Sequence, residues 1–260
     1  MRKLTRGLIV AGVVSLPAML GMTYAQAADS AAPYTVSTNI AVVSDYYFRG
    51  LTQTWHEPAL QGGLDVNFDS GWYAGTWLSN VSGNQYAGGS LEWDYYGGYN
   101  GKINNDWSWT AGLYGYYYPG ANNDKSTPPG ASKDYNTLEW NAGISYKWVS
   151  LKYSRATTDS FGVDNTSGSN YIDLSAGIPL PNDFSLGLHA GRTNVANNSS
   201  SDYNDYKVSL DKSFHGGWNA SIAYVKATNS QVYDNTMSLT NSDTADLGKG
   251  KLVVSVGRAF

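Results

Sequence analysis

The feature that most constrains this chain is a period-two alternation of apolar and polar residues that runs through most of its length. In one segment Leu138, Trp140 and Ile144 alternate with Glu139 and Asn141. Successive side chains of a β-strand point to opposite faces, so such a segment has one apolar face and one polar face. No segment of useful length shows the 3.6-residue period of an amphipathic helix. The chain is therefore expected to be all-β.

Twelve segments show the alternation, and the third and seventh show it least clearly. Both faces of the third segment carry aromatic residues, so its orientation is ambiguous. The first segment is predicted to continue to Arg49, with Tyr46 and Phe48 on its apolar face. The twelve segments are residues 34–49, 60–69, 72–81, 91–100, 107–118, 135–148, 149–157, 171–180, 184–192, 203–212, 218–227 and 250–260.

The connections between these segments alternate between short and long. The long connections, at 50–57, 82–90, 119–133, 158–170, 193–202 and 228–249, are rich in Asn, Ser, Asp, Gly and Pro, which favour turns and solvated loops. An even number of antiparallel strands with brief turns at one end and longer loops at the other is typical of an outer-membrane barrel. The predicted fold is a single closed antiparallel transmembrane β-barrel of about 12 strands, with short periplasmic turns and long extracellular loops.

The N-terminus has the pattern of a cleaved secretory signal peptide, predicted to span residues 1–27. Arg2, Lys3 and Arg6 precede an apolar stretch at 8–20, and Ala25-Gln26-Ala27 provides a small-x-small cleavage site. Removal of these three basic residues leaves 14 basic against 21 acidic residues, a net charge of −7. The barrel domain is predicted at 28–260, as an integral protein of the outer membrane of a Gram-negative bacterium.

Composition excludes several classes of protein. Outside the N-terminus no apolar run is long enough for a membrane-spanning helix. The chain has no cysteine, which excludes disulfide frameworks, thiol catalysis and cysteine-rich metal sites. Its net charge is −4 and no basic run is present, so nucleic acid is not an expected partner.

The apolar face of each strand is expected to contact lipid, and outer-membrane lipid and lipopolysaccharide are the predicted partners. The terminal alternation of Leu252, Val254, Val256 and Phe260 resembles the signal recognised by the barrel-assembly machinery, a further predicted partner. Aromatic rings beside the short turns are typical of a membrane interface. This predicted girdle comprises Phe68, Trp72, Trp107, Trp148, Phe184, Trp218 and Phe260.

The polar face is expected to line a lumen of net negative charge, with nine acidic against five basic residues. A twelve-stranded barrel lies between filled eight-stranded barrels and open sixteen-stranded porins, so a narrow water-filled pore with mild cation preference is predicted. The alternative is that these charges pair across the interior and close it. The candidate pore-lining residues are Asp45, Arg49, Asp65, Glu92, Asp94, Glu139, Lys147, Asp173, Asp205 and Lys207.

The three histidines do not form a recognised catalytic motif, and no enzymatic activity, cofactor or metal is predicted. His56 lies in a long loop and His215 in a short turn. His189 is expected to point inward, where it could activate Ser185 or Ser209. Barrel hydrolases that use a Ser/His pair carry it on the lipid face, and no histidine lies on that face in mid-strand.

Three stretches near the N-terminus resemble the TorF porin family. They are Ser44-Asp45-Tyr46-Tyr47-Phe48-Arg49-Gly50-Leu51-Thr52-Gln53-Thr54, Pro58-Ala59-Leu60-Gln61-Gly62-Gly63-Leu64-Asp65 and Gly71-Trp72-Tyr73-Ala74-Gly75-Thr76-Trp77. Residues 92–99 are similar to the next strand of that family. The resemblance implies an exported outer-membrane protein of porin type, and it implies no substrate and no functional residues.

The sequence as a whole predicts a porin-like channel for passive diffusion of small hydrophilic solutes. A non-conducting structural or surface-recognition barrel is the first alternative, and an outer-membrane barrel hydrolase is a weaker one. A soluble periplasmic β-protein is the last alternative.

Overall fold

A computed structural model describes residues 32–260 as a closed antiparallel barrel of twelve strands, which confirms the predicted fold class. Each alternating segment supplies one strand. The predicted signal peptide at 1–27 and the predicted start of the barrel domain at Ala28 lie outside the described residues. The strands are β1 (Tyr34–Val43), β2 (Ala59–Phe68), β3 (Trp72–Asn80), β4 (Leu91–Lys102), β5 (Trp107–Tyr117), β6 (Thr137–Tyr146), β7 (Val149–Ala156), β8 (Asn170–Leu180), β9 (Phe184–Asn194), β10 (Tyr203–Ser213), β11 (Trp218–Ala227) and β12 (Lys251–Ala259).

The barrel closes because β1 pairs with β2 on one side and with β12 on the other. In the closing pair Val42 lies opposite Val256, and Asn39 lies opposite Ala259. All other strands pair in chain order, so every strand has two antiparallel neighbours. Closure leaves no free sheet edge, which satisfies the backbone groups that hydrocarbon cannot hydrogen-bond.

The outer surface of the barrel is apolar. On β12 the outward side chains Leu252 and Val254 are more than half exposed, whereas Val253 between them is buried toward the interior. On β2 the outward Leu60 is likewise exposed and its neighbour Gln61 is buried. An apolar surface that continues around a closed barrel is stable in contact with lipid and not with water. The protein is thus an integral outer-membrane barrel.

The third strand, ambiguous in sequence, has a defined orientation. Trp77 and Ser79 point inward and are almost fully buried, whereas Trp72 and Leu78 are exposed on the outer surface. Trp77 fits inside because Gly63 lies opposite it on β2. The inward aromatic face therefore belongs to the packing of the interior.

The first strand is shorter than predicted. It ends at Val43, and residues 44–57 leave the barrel wall and fold into the interior. Tyr46 and Phe48, which the alternation placed on the lipid face, instead contact side chains of the interior. The alternation of the sequence continues past the end of β1 at Val43, because the residues that follow also have one apolar and one polar face.

The long loops are hydrogen-bonded to one another above the barrel. The backbone N–H of Leu239 in the last loop donates to Asn84 O at 2.8 Å, and Leu239 O accepts from Thr127 N at 2.7 Å. Lys133 donates to Asp159, which raises the pKa of Lys133 and lowers that of Asp159. Within the described residues, helices are confined to single turns such as α1 (Ser230–Tyr233). No helix among residues 32–260 is long and apolar enough to cross a membrane.

Candidate functional site in the barrel interior

Residues 44–57, here called the inward segment, cross the interior from β1 to the opposite wall. Phe48 packs against Tyr116 of β5, and Arg49 bonds to Glu139 of β6. Gly50 lies so close to β10 that a Cβ atom there would clash with Asp205. In the ring of twelve strands β7 lies directly opposite β1 and β6 is next to it, so the contact with Glu139 spans the lumen.

The sequence of the inward segment favours a compact turn. Residues Tyr47–Phe48 and Leu51–Thr52 pair as a small hairpin, with Gly50 at φ +77° in its tight turn. The Asp45 carboxylate lies at the base of this hairpin. It accepts hydrogen bonds from Thr52 Oγ1 at 2.5 Å and from Thr54 Oγ1 at 3.3 Å, and His56 Nδ1 lies 2.7 Å from it. Asp45 therefore holds the shape of the segment.

Arg49 attaches the segment to the far wall. Its guanidinium donates two hydrogen bonds to the Glu139 carboxylate, at 3.0 and 2.7 Å. Its Cζ atom also lies 4.8 Å from the ring centre of Phe48 and 4.4 Å from that of Tyr171. Two-pronged binding of a carboxylate and stacking between aromatic faces are the interactions to which arginine is best suited.

A wall rich in tyrosine and carboxylate side chains faces the near side of the inward segment. Tyr46 of the segment donates to Glu92 at 3.2 Å and packs edge-on against Trp77. Tyrosines of the wall itself donate to other carboxylates, Tyr96 to Asp65 at 2.7 Å and Tyr114 to Asp94 at 2.8 Å. Tyr116 donates to Glu139 of the far wall at 3.4 Å.

Several polar atoms of this same wall lack partners. Among the described residues eight buried side-chain nitrogen or oxygen atoms have no hydrogen-bond partner, and six of them lie on the inward face of β1–β4. A buried polar atom without a partner is destabilising, by about 1–3 kcal/mol for a neutral group and more for a charged one. Contact with water or a polar solute would therefore stabilise this wall. The six atoms are Asn39 Oδ1, Gln61 Oε1, Asp65 Oδ2, Trp77 Nε1, Glu92 Oε2 and Asp94 Oδ1.

A second charged cluster surrounds His189 on the opposite wall. His189 Nε2 lies 2.7 Å from Asp205 Oδ1, and its Nδ1 lies 3.3 Å from Asp173 Oδ1. Tyr171 donates to Asp205, and Ser175 Oγ lies 3.0 Å from His189 Nδ1. Lys207 lies directly across the sheet from His189.

The interior thus brings together most of the predicted pore-lining residues. Lys147 differs, because it lies in the short turn after β6 and is half exposed, with its ammonium 3.8 Å from Asp106. Asp69, also counted with the inward charges, is exposed at another short turn. Eight acidic and four basic residues of the predicted inward set remain. Those candidate pore-lining residues that face the interior are Asp45, Arg49, Asp65, Glu92, Asp94, Glu139, Asp173, Asp205 and Lys207.

The predicted girdle residues are exposed at the end of the barrel that carries the short turns: Phe68, Trp72, Trp107, Trp148, Phe184, Trp218 and Phe260. The terminal-strand residues Leu252, Val254 and Val256 also point outward. A second group of exposed rings, which the sequence analysis missed, lies toward the long loops. It includes Trp93, Tyr95, Tyr117, Trp140, Tyr206 and Tyr224. The alternation of the sequence indicates that these rings point outward, but only the strand register shows that they lie at the same height on the barrel.

The histidine cluster does not have the arrangement of a nucleophilic serine site. His189 contacts Ser175 and not the predicted Ser185 or Ser209. Ser175 Oγ also donates to Asp173 at 2.5 Å, and a carboxylate faces each imidazole nitrogen. Both imidazole nitrogens thus have a carboxylate partner, whereas activation of a serine requires one of them as its base. Within residues 32–260 no group of three or more His, Asp or Glu side chains is placed to hold a metal ion.

Solved structures with a similar fold are outer-membrane barrels. The KdgM porin in complex with disordered oligogalacturonate is 8% identical, with a TM-score of 0.52 over 86% of this chain and 97% of that chain. The NanC porin is 11% identical, with a TM-score of 0.52 over 86% and 99%. The COG4313 outer membrane channel from Pseudomonas putida F1 is 14% identical, with a TM-score of 0.50 over 90% and 100%. At these identities the likeness establishes the shared fold.

The sequence itself matches one family profile. Residues 27–260 match the family described as "Bacterial protein of unknown function (Gcw_chp)". No curated protein sequence matches the chain. The resemblance to the TorF family is not tested by this match and stays a prediction. The chain belongs to the Gcw_chp family, with the fold of an outer-membrane β-barrel.

Proposed function

We propose that the protein is an outer-membrane channel for small hydrophilic solutes, narrowed by the inward segment. The observation that carries this proposal is the Arg49–Glu139 ion pair, which holds a loop across a lumen lined by charged and hydroxyl side chains. A barrel built only for rigidity has no need of a polar interior with unpartnered atoms. The resemblance of residues 44–77 to the TorF porins supports the same function.

The charge of the lumen favours neutral or cationic solutes. Eight acidic against four basic residues give the predicted inward set a negative balance, and like charges along a pore repel anions. One structural neighbour, the KdgM porin, is described in complex with oligogalacturonate, a polyanion. The acidic interior of this chain makes such a polyanion an unfavourable solute, so we propose mild cation preference.

The packing of the inward segment also favours a second candidate function, a barrel that does not conduct. Tyr46 and Trp77 are completely buried where the segment meets the wall, and the long loops bond to one another above them. Such a barrel would act through its loops, as a structural or surface-recognition protein. In both functions outer-membrane lipid, lipopolysaccharide and the barrel-assembly machinery are the proposed partners.

A reversible crosslink separates the two functions. The chain has no cysteine, and a Cβ atom at Gly50 would lie 3.2 Å from Cβ of Ala227 on β11. Disulfide Cβ atoms lie about 3.5–4.5 Å apart, so the Gly50→Cys/Ala227→Cys variant brings its two thiols within bonding range. The single Gly50→Cys variant measures separately the effect of a side chain at this turn, where a Cβ atom meets Asp205. The measurement is single-channel conductance in planar bilayers, under oxidant and then under reductant. The two single-cysteine variants are the controls.

We expect the wild-type barrel to conduct and the oxidised double variant to conduct less, with recovery under reductant. This result would show that the inward segment moves in the conducting state. Equal conductance in the oxidised and reduced states would mean that solutes pass the fixed segment. A wild-type barrel without current steps, in protein shown to be folded by heat-modifiable gel migration, would overturn the channel and support the non-conducting barrel.

A further inference from the structure

All charged side chains on the outer face of the twelve strands are basic. The strands lie entirely within the described residues, and no carboxylate points outward from any of them. All of these cations are on β7–β12, and none is on β1–β6. Two lie near the short turns and three near the long loops. The turn-end pair is Lys212 and Arg258, and the loop-end group is Arg155, Arg192 and Lys226.

The register places the loop-end group at one level of the barrel. Arg155 of β7 and Asn194 of β9 pair with the same residue of β8, so the two lie in one cross-strand row. Arg192 lies on β9 two residues from Asn194, toward the short turns. Arg192 pairs with Asn204 of β10. Lys226 of β11 pairs with Tyr206, which lies on β10 two residues beyond Asn204 toward the short turns.

The same displacement relates Phe184 on β9 to Trp218 on β11, two rings of the girdle. In a tilted barrel this offset keeps residues at equal height. The three cations are therefore neighbours at equal depth, on alternate strands about 10 Å apart.

The two groups of cations differ in their contacts. Lys212 lies over the Phe184 ring and donates to Asn182 O, and Arg258 lies over the Phe260 ring and donates to Gly216 O. The turn-end cations are thus bound by the protein itself.

Two of the three loop-end cations are free. The side chains of Arg155 and Lys226 are exposed, and neither has a hydrogen bond or ion pair to any residue among 32–260. The Arg192 guanidinium donates to Asn194 at 3.0 Å and to Asp202 at 3.1 Å, and its side chain is still 42% exposed. Beside the group, the exposed rings of Tyr206 and Tyr224 mark the level of the membrane interface.

We propose that Arg155, Arg192 and Lys226 bind the phosphate groups of a phosphorylated glycolipid in the outer leaflet, that is, the lipid A part of lipopolysaccharide. Long loops mark the extracellular end of such barrels, so this row faces the outer leaflet. Three exposed cations at one level, two of them unpaired, complement a headgroup that carries more than one phosphate. The proposal rests on the membrane position of the barrel and not on conduction through it.

The test compares lipid binding by the whole barrel in detergent, measured by native mass spectrometry. The probes are diphosphorylated lipid A and the same lipid after removal of both phosphates. The variant Arg155→Gln/Arg192→Gln/Lys226→Gln is matched with Lys102→Gln/Lys125→Gln/Lys249→Gln, which removes three exposed cations elsewhere. Heat-modifiable gel migration confirms that each variant is folded.

We expect the first variant to lose affinity for diphosphorylated lipid A by at least about tenfold, as three lost phosphate contacts require. The matched variant should bind like wild type, and the dephosphorylated lipid should bind weakly to all three proteins. Inorganic phosphate should compete poorly, because the lipid also contacts the apolar wall. Equal loss in both variants, no loss in the first, or full competition by inorganic phosphate would overturn the proposal of a lipid site.

Discussion

Arg49 and Glu139, 90 positions apart in sequence, share two hydrogen bonds at 3.0 and 2.7 Å inside the barrel. Arg49 belongs to the inward segment that follows β1, and Glu139 belongs to β6 on the opposite wall. Their side chains are only 11% and 4% exposed. A buried pair of this geometry is sensitive to the loss of one partner, because the remaining charge is left without compensation.

Replacement of Arg49 by alanine is therefore expected to release the inward segment. Loss of one member of a buried ion pair is destabilising by about 3–5 kcal/mol, enough to detach the tip of the segment from the far wall, while Tyr46 still holds its base at Glu92. Single-channel conductance should rise severalfold over wild type. Arg49→Lys keeps the charge but not the two-pronged bond, so it should give an intermediate value.

The matched control for this prediction is Lys102→Ala, which removes an exposed cation near the short turns. Its conductance should equal that of wild type. Unchanged conductance in Arg49→Ala would show that the ion pair does not hold the constriction.

The double substitution Glu92→Gln/Asp94→Asn should weaken cation preference. These residues carry two of the three carboxylates with unpartnered oxygens on the inner wall, and their amides keep size but remove charge. Reversal potentials in asymmetric KCl should move toward zero, whereas Asp124→Asn, in a loop, should leave them at the wild-type value. A larger cation preference in the double variant would contradict the proposed field of the lumen.

The interior packing predicts that Gly98→Ala is destabilising. Gly98 faces Gly112 across β4 and β5, and the Tyr73 hydroxyl would lie 2.7 Å from an added Cβ, which would also clash with Ala111 O. Overpacking of this kind costs about 1–3 kcal/mol. The variant should show a lower unfolding temperature in heat-modifiable gel migration. Gly177→Ala is the control, since nothing lies within 4 Å of a Cβ there, and an equal decrease would refute the packing argument.

His189→Ala should leave transport unchanged, and the barrel should show no lipid or ester hydrolysis with or without the histidine. The expected structural effect is a lower unfolding temperature, because the buried carboxylates of Asp173 and Asp205 lose the imidazole that lies between them. Assays with phospholipid and p-nitrophenyl esters test the first point. Hydrolysis by the wild type that disappears in His189→Ala would establish an enzyme and overturn the present assignment.

Much of the wall could be predicted from the sequence because a strand exposes its two faces to two different solvents. Leu252 and Val254 on β12 contact lipid, so their apolar parity continues without interruption. The same parity correctly indicated that Asp94 and Glu139 face the interior. The turn that contains Lys147 was predicted slightly too late, between Trp148 and Val149, because a two-residue turn interrupts the alternation too briefly to be placed from the sequence.

The interior could be predicted only in part. Tyr46 and Phe48 continue the alternation of β1, and nothing local indicates that the chain leaves the wall after Val43. The partner of Arg49 could not be identified, since nine acidic residues were candidates and their distances depend on strand register and barrel closure.

The strands, their faces and the alternation of turns and loops could all be derived from the sequence, because they follow from a local periodicity set by lipid on one face and water on the other. Only the closed barrel places residues 44–57 across the lumen, joins Arg49 to Glu139 and brings three outward cations to one level. These relations depend on which residues lie opposite each other once the barrel has closed. Distances across a closed sheet are set by register and strand tilt, which no local pattern contains.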